Sequence, residues 1–352
     1  MFELRKISKK IGAFNIENIN LKVSRGDYCV ILGVSGAGKS ILLEMIAGLI
    51  NPDSGNIILN GEDITNKKIQ KRNIGLLFQD YAIFPHMSVR QNIEYSLKST
   101  GKSVQEREIL VNKIAQELSI SHLLERKPET LSGGEQQRAS LARTLITEPH
   151  ILLLDEPLSS LDVILKNELI SILRKLNRKG QTILHVTHDY EEVISLANKV
   201  AIIEEGKLIQ EGNPKDVFKN PQTRFIAHLS GIKNFYAAHI IKDEITQEKV
   251  ALIDNNIRII ILSEYFDVQG NIAIDSEDII ISENRVESSA VNNFEGTITD
   301  IMPTALGVEI SIDIGVIIYV TITKSSLLKL NLENKKRVWL CFKASCVKFY
   351  KN

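Results

Sequence analysis

The stretch Tyr28-Cys29-Val30-Ile31-Leu32 followed by Gly33-Val34-Ser35-Gly36-Ala37-Gly38-Lys39-Ser40 decides the fold class. A short apolar run of this kind suits a strand buried on both faces. The next eight residues fit G-x-x-x-x-G-K-[ST], and Ile41 opens a helical pattern that runs to Ile50. Strand, glycine-rich turn and helix in that order form a phosphate-binding device. Glycines let the backbone curl until successive N–H groups face phosphate oxygens, and the helix start adds its positive dipole end. Gly33, Ser35, Gly36, Gly38, Lys39, Ser40 and Ile41 are the expected nucleotide-contacting positions, with Lys39 on the terminal phosphates and Ser40 on a magnesium ion.

A second half of the site is read at Ile151-Leu152-Leu153-Leu154-Asp155-Glu156-Pro157. Four apolar residues make a central strand, and two carboxylates emerge at its C-terminal end, where open α/β sheets bind ligands. Asp155 is expected to hold Mg²⁺ and Glu156 to polarise the attacking water. Between the two halves stands Leu131-Ser132-Gly133-Gly134-Glu135-Gln136-Gln137-Arg138. In this order the three segments resemble the ATP-binding cassette ATPases, and the middle one resembles their signature sequence.

That resemblance implies further roles. Gln79 matches the Q-loop glutamine, which contacts Mg²⁺ or water. Ser160-Leu161-Asp162 matches the D-loop, and His188 the switch histidine at the γ-phosphate. Importers of the family stack adenine on an aromatic where this chain has Ile11, so Phe14 is the alternative stacking residue. One phosphate loop and one signature segment per chain imply a head-to-tail homodimer, in which Ser132, Gly133, Gly134 and Asp162 complete the site of a second copy.

Composition bounds the rest. The chain has 352 residues, 43 Lys plus Arg against 43 Asp plus Glu, and 43% apolar residues. Balanced charge argues against nucleic acid as the main partner. Apolar runs fall short of the roughly 20 residues that span a bilayer, and the N-terminus carries no signal-peptide pattern. A peripheral subunit on the cytoplasmic face of the membrane is expected. Cys29, Cys341 and Cys346 form no metal or disulfide pattern.

Fifteen of 20 glycines and seven of eight prolines precede residue 230, and strand patterns dominate after it. The expected architecture is an α/β cassette over 1–230, with a helical subdomain at about 80–145, followed by a small all-β, OB-like barrel over 231–352. Within the tail, Asn234-Phe235-Tyr236-Ala237-Ala238-His239-Ile240 is echoed by Asn293-Phe294-Glu295-Gly296-Thr297-Ile298. Each copy closes in a related segment, IAIDSEDIIIS or WLCFKASCVKF, so two similar β modules are expected.

The segment from Gln79 to Ile93 resembles the importer version of the family where a permease helix docks, with Tyr81, Phe84 and Met87 as expected contacts. The tail resembles the molybdate-binding module of molybdate and tungstate importer ATPases, departing at Val291, where related modules carry a basic residue. Ser288, Ser289, Lys343 and Ser345 are the expected oxyanion ligands, since several hydroxyls and one cation suit a tetrahedral anion. The resemblance implies an ATP- and Mg²⁺-dependent motor for molybdate or tungstate uptake, served indirectly by an extracytoplasmic oxyanion-binding protein and feedback-inhibited through the tail. Other cargo (sulfate, ferric ion, polyamine or sugar) and a non-transport cassette ATPase remain the alternatives.

Overall fold

Residues 1–352 are described by a computed structural model, apart from Gln79, Tyr81, Ser99, Ser160, Glu244, Ile245, Leu306, Asn352 and the side chain of Asn255. Contacts divide the chain into Met1–Val217 and Phe218–Asn352. The first unit runs β1 (Phe2–Ile11), β2 (Phe14–Val23), β3 (Tyr28–Leu32), α1 (Lys39–Ala47), β4 (Ser54–Leu59), β5 (Glu62–Asp63), β6 (Ile74–Leu77), α2 (Val89–Tyr95), α3 (Val104–Glu117), α4 (Gly133–Leu145), β7 (Ile151–Asp155), α5 (Val163–Arg178), β8 (Thr182–Thr187), α6 (Tyr190–Leu196), β9 (Lys199–Glu204) and β10 (Lys207–Gly212). Helix α7 (Pro214–Lys219) spans the division.

The central sheet has the order β10-β9-β3-β8-β7-β6, parallel from β9 to β6 with β10 antiparallel at its edge. Its inner strands are buried on both faces, which is why β3 and β7 read as unbroken apolar runs rather than alternations. A second sheet, β2-β1-β4-β5, is antiparallel and packs into the same core. Helices α2, α3 and α4 form the helical part, each started by a capping box, at Ser88, Ser103 and Ser132. In α3, Leu110 and Ile114 are half-buried and Leu118 at its C-terminal cap is fully buried. Val111 and Ala115 are the buried residues of that helix, and Leu110 and Ile114 line a cavity at its side.

In the second unit follow α8 (Arg224–Leu229), β11 (Asn234–Lys242), β12 (Lys249–Ile253), β13 (Ile257–Ile260), β14 (Val268–Ile274), β15 (Ile280–Ser282), β16 (Asn292–Pro303), β17 (Val308–Asp313), β18 (Ile317–Ile322), α9 (Lys324–Lys329), β19 (Arg337–Phe342) and β20 (Val347–Lys351). The division precedes α8, whereas composition changes at 230/231, because Ala227 of α8 packs with Phe235 and Ala273. Two antiparallel sheets, β13-β12-β11-β14-β20 and β15-β19-β16-β17-β18, share one apolar core.

These sheets repeat each other strand for strand, with the closing strands exchanged. β14 leads into β15, which pairs with β19 in the other sheet, and β19 leads into β20, which pairs with β14. The register is conserved: Asn234 faces Ile274 across β11 and β14, as Asn292 faces Phe342 across β16 and β19. The repeat therefore aligns Asn234 with Asn292, one residue away from the Asn293 that the sequence echo suggests.

Those two buried asparagines are also the joints between sheets. Asn234 donates to Tyr319 O (2.7 Å) and accepts from Tyr319 N (2.7 Å). Asn292 donates to Ile260 O (2.9 Å) and accepts from Ile260 N (2.7 Å). An amide side chain places an N–H donor beside a carbonyl acceptor, so it can satisfy both groups of a strand edge that would otherwise be orphaned in the core.

Candidate functional site

The loop after β3 turns at Gly36 and Gly38, with φ of 82° and 96°, conformations that favour glycine. Gly38 has a second constraint, since a Cβ there would lie 2.8 Å from the Phe14 ring. Phe14 thus packs against the phosphate loop, while Ile11 is 40% exposed at the end of its hairpin. Lys39 is 5% exposed, and its Nζ donates to Gly33 O (2.8 Å) and Val34 O (2.9 Å), folding over the loop it closes. Burial lowers its pKa, an effect opposed by the nearby Glu156 and Asp155.

From the first turn of α1, the Ser40 hydroxyl donates to Asp155 Oδ1 at 3.1 Å. Burial, reinforced by Glu156 and Glu44, raises the Asp155 pKa against the Ser40 hydrogen bond. A hydroxyl and a carboxylate held together, with negative charge in excess, form a donor set suited to a hard divalent cation. Magnesium takes few protein oxygens and fills its remaining positions with water and phosphate, so the residues present fit that ion.

Glu156 stands at φ 43°, a left-handed conformation that turns the chain sharply off the strand. Its amide donates to Val186 O (3.0 Å), and its Oε1 lies 3.1 Å from His188 Nδ1. Lys39, Ser40, Asp155, Glu156 and His188 therefore converge at the C-terminal ends of β3, β7 and β8. Gln79 lies outside the described residues.

Ser132, Gly133 and Gly134 sit elsewhere, at the start of α4. The Ser132 hydroxyl accepts from Glu135 N (3.4 Å), Glu135 Oε2 accepts from Ser132 N (2.8 Å), and nothing approaches a Cβ placed on Gly133. Their hydrogen bonds remain within the turn, and an open glycine face is left on its outside. Asp162 caps α5, accepting from Ile164 N (2.9 Å) and Leu165 N (3.0 Å). In the helical part, buried Asn92 ties down the Phe84–Ser88 turn through Phe84 N, Phe84 O, Met87 O and Ser88 O. Sequence reading passed over Asn92, which stands in α2 beside the polar residues Arg90, Gln91 and Glu94 and carries no signal of its own. Tyr81 lies outside the described residues.

Within the β unit, Ser289, Lys343 and Ser345 line one surface cavity of about 450 Å³ with Lys249, Ser263, Val291 and Glu248. Lys249 Nζ donates to Ser263 O. Ser288 is outside that lining, and its Oγ accepts from Ala290 N (3.2 Å). At the repeat position matching Val291, Lys233 is bonded to Glu309 (2.7 Å).

The sequence profile of the ABC transporter family matches residues 16–159, and that of the TOBE domain matches residues 288–349. A molybdate/tungstate import ATP-binding protein of Pyrococcus abyssi is 40% identical over 99% of this chain and 100% of its own length. The chain belongs to the ABC transporter ATP-binding proteins. As a member of that family it is an ATP-binding ATPase, with the cassette followed by an OB-like β unit. The molybdate/tungstate import protein of Methanocaldococcus jannaschii is 46% identical over 73% of this chain and 83% of its own length. The spermidine/putrescine import protein of Haemophilus influenzae is 37% identical over 80% and 77%. Among solved structures, a dimeric post-hydrolysis ATP-binding cassette bound to ADP and Pi matches with a TM-score of 0.55 and 29% identity, covering 61% of this chain and 99% of its own. No helix among the described residues of the cassette protein is long and apolar enough to cross a membrane.

Proposed function

We propose that the chain is the ATP-hydrolysing motor subunit of a molybdate/tungstate importer, working as a homodimer on the cytoplasmic side of a separate permease. The observation that carries this reading is the end-to-end similarity to molybdate/tungstate import proteins, β unit included. Lys39 leaves the Gly33 and Val34 carbonyls to meet the terminal phosphates. Ser40 and Asp155 would hold magnesium, which when bound would supply positive charge against the transferred phosphoryl group. Glu156 accepts a proton from the attacking water, and His188 orients Glu156 and the γ-phosphate. The open face of Gly133, with Ser132, Gly134 and Asp162, closes on the nucleotide of the second copy.

Phe84 and Met87, on the turn that Asn92 organises, form the face for a permease helix. An extracytoplasmic binding protein delivers the oxyanion to that permease. In the β unit, Ser289, Ser345 and Lys343 bind the transported anion and slow the motor, with Ser288 at the margin. Polyamine import is supported by 37% identity to the Haemophilus protein. Two lysines and three serines around one cavity have the wrong sign for a polycation, even with Glu248 at the edge. Uptake of radiolabelled molybdate, tungstate and spermidine by vesicles carrying the chain and its permease tests the assignment. Uptake of spermidine but not of the oxyanions would overturn it.

A further inference from the structure

A charged network lies beside the nucleotide site, on residues to which the hydrolytic scheme gives no role. Lys166, one turn into α5, donates its amide to Asp162 O (2.8 Å), so its backbone moves with the Asp162 turn. Its Nζ lies 2.5 Å from Asp189 Oδ2 and 3.0 Å from Glu192 Oε1. Asp189 caps α6 with its other oxygen, accepting from Glu191 N (2.7 Å), and its own amide donates to Thr187 Oγ1 (3.1 Å).

Glu192 is 3% exposed, with His185 Nε2 3.3 Å from its Oε2 and the Tyr28 hydroxyl 3.0 Å from His185 Nδ1. Burial alone would push the Glu192 carboxyl up. His185, Lys166 and Thr187 outweigh burial and hold it at about 2.

His188 stands between these anchors. Its side chain is 53% exposed, so packing does little to fix the ring that faces Glu156. On one side, Thr187 is locked in strand β8. On the other, Asp189 is held by a charge-assisted bond from Lys166. We propose that Lys166 is a positioning residue for ATP hydrolysis: by holding Asp189 it aims the His188 imidazole at Glu156 and couples that aim to the Asp162 turn. The inference rests on the reading that Glu156 and His188 serve turnover.

Replacing Lys166 alone leaves two carboxylates in a poorly solvated place, which also costs stability. The test therefore uses Lys166→Met, Lys166→Arg and Lys166→Met/Glu192→Gln, the last of which removes the buried charge together with its partner. Melting temperature, nucleotide Kd, kcat and KM for ATP are measured on the full chain. Because the phosphate loop is untouched, Kd and KM should stay within about twofold while kcat of the Met variants falls about 10 to 100-fold, the scale of a misplaced catalytic group. Lys166→Arg should restore most of kcat. Acting through His188, Lys166→Met should add little loss to the residual rate of a His188→Ala chain.

A folded Lys166→Met/Glu192→Gln chain with wild-type kcat would overturn the proposal, as would an equal loss from Lys166→Met with and without His188. If Glu156→Gln and His188→Ala both hydrolyse ATP at the wild-type rate, the reading beneath the proposal fails instead, and the proposal with it.

Discussion

The two candidate binding regions are built in opposite ways. In the cassette, the phosphate loop is eight consecutive residues, and its partners Asp155, Glu156 and His188 stand at or just past the end of a buried parallel strand. In the β unit, the cavity gathers Lys249, Ser263, Ser289, Lys343 and Ser345 from distant stretches across two sheets. A polyphosphate can be held largely by backbone N–H groups, so its site fits in one loop with a glycine pattern. A small tetrahedral anion held by side chains needs donors converging from several strands, and no short motif encodes that.

The comparison breaks most visibly at Glu156. Glu156→Gln should retain ATP binding yet lose about 100-fold or more of turnover, because proton acceptance disappears from an intact pocket. Size-exclusion chromatography with ATP should show a trapped dimer. Parental turnover, or a monomer under those conditions, would count against the local character of this site.

Lys39→Ala removes a charge-assisted contact and should weaken nucleotide affinity about 10 to 150-fold. Ser132→Arg should leave affinity near wild type while blocking dimer closure. Equal losses in nucleotide titrations of the two variants would remove the distinction between a site built in one chain and one completed by a second.

For the β unit, millimolar molybdate or tungstate should slow the assembled transporter about 5 to 150-fold, corresponding to a coupling of roughly 1 to 3 kcal/mol. Lys343→Ala should abolish that response and leave the basal rate unchanged. ATPase assays with and without oxyanion decide this, and Lys249→Ala sharpens it by testing whether the first repeat contributes to the cavity.

Each interior asparagine joint exchanges two hydrogen bonds with a strand of the other sheet. Asn234→Ala or Asn292→Ala should therefore destabilise the β unit by about 1 to 3 kcal/mol, seen as an earlier unfolding transition in calorimetry. A similar loss at both positions supports the structural repeat, whereas a loss at only one would break it.

Acid stability offers the narrowest effect, confined to low pH. Glu192 is held at about 2 in the folded chain against an ordinary 4.5. Its contribution is present above the ordinary value and is lost as pH falls from there towards 2. Glu192→Gln should flatten that part of an acid-unfolding curve, while the rest of the curve keeps its slope.

Much of the fold was legible because a parallel sheet buried on both faces writes itself as apolar runs, and because glycine is favoured where φ is positive, as at Gly36 and Gly38. The strands Val308–Asp313, Ile317–Ile322 and Arg337–Phe342 lie in the part of the chain where strand patterns dominate. The repeat was visible too, but its register was not. Asn293-Phe294 resembles Asn234-Phe235 in letters, yet hydrogen bonding selects Asn292, because only that position faces the opposite strand edge.

By itself, then, the sequence determined the order of strand, loop and helix in the cassette, since that order depends on local backbone conformation and on side chains close in the chain. Tertiary structure alone decided that Lys166 reaches Asp189 and Glu192, that Arg72 supplies the α1 carbonyls of Met45 and Ile46 with donors, and that the β modules exchange their closing strands. Charges and amides of that kind gain partners only when distant segments pack, and a lone Lys or Asn in a helix or strand looks the same in sequence whether it meets solvent or a buried carboxylate.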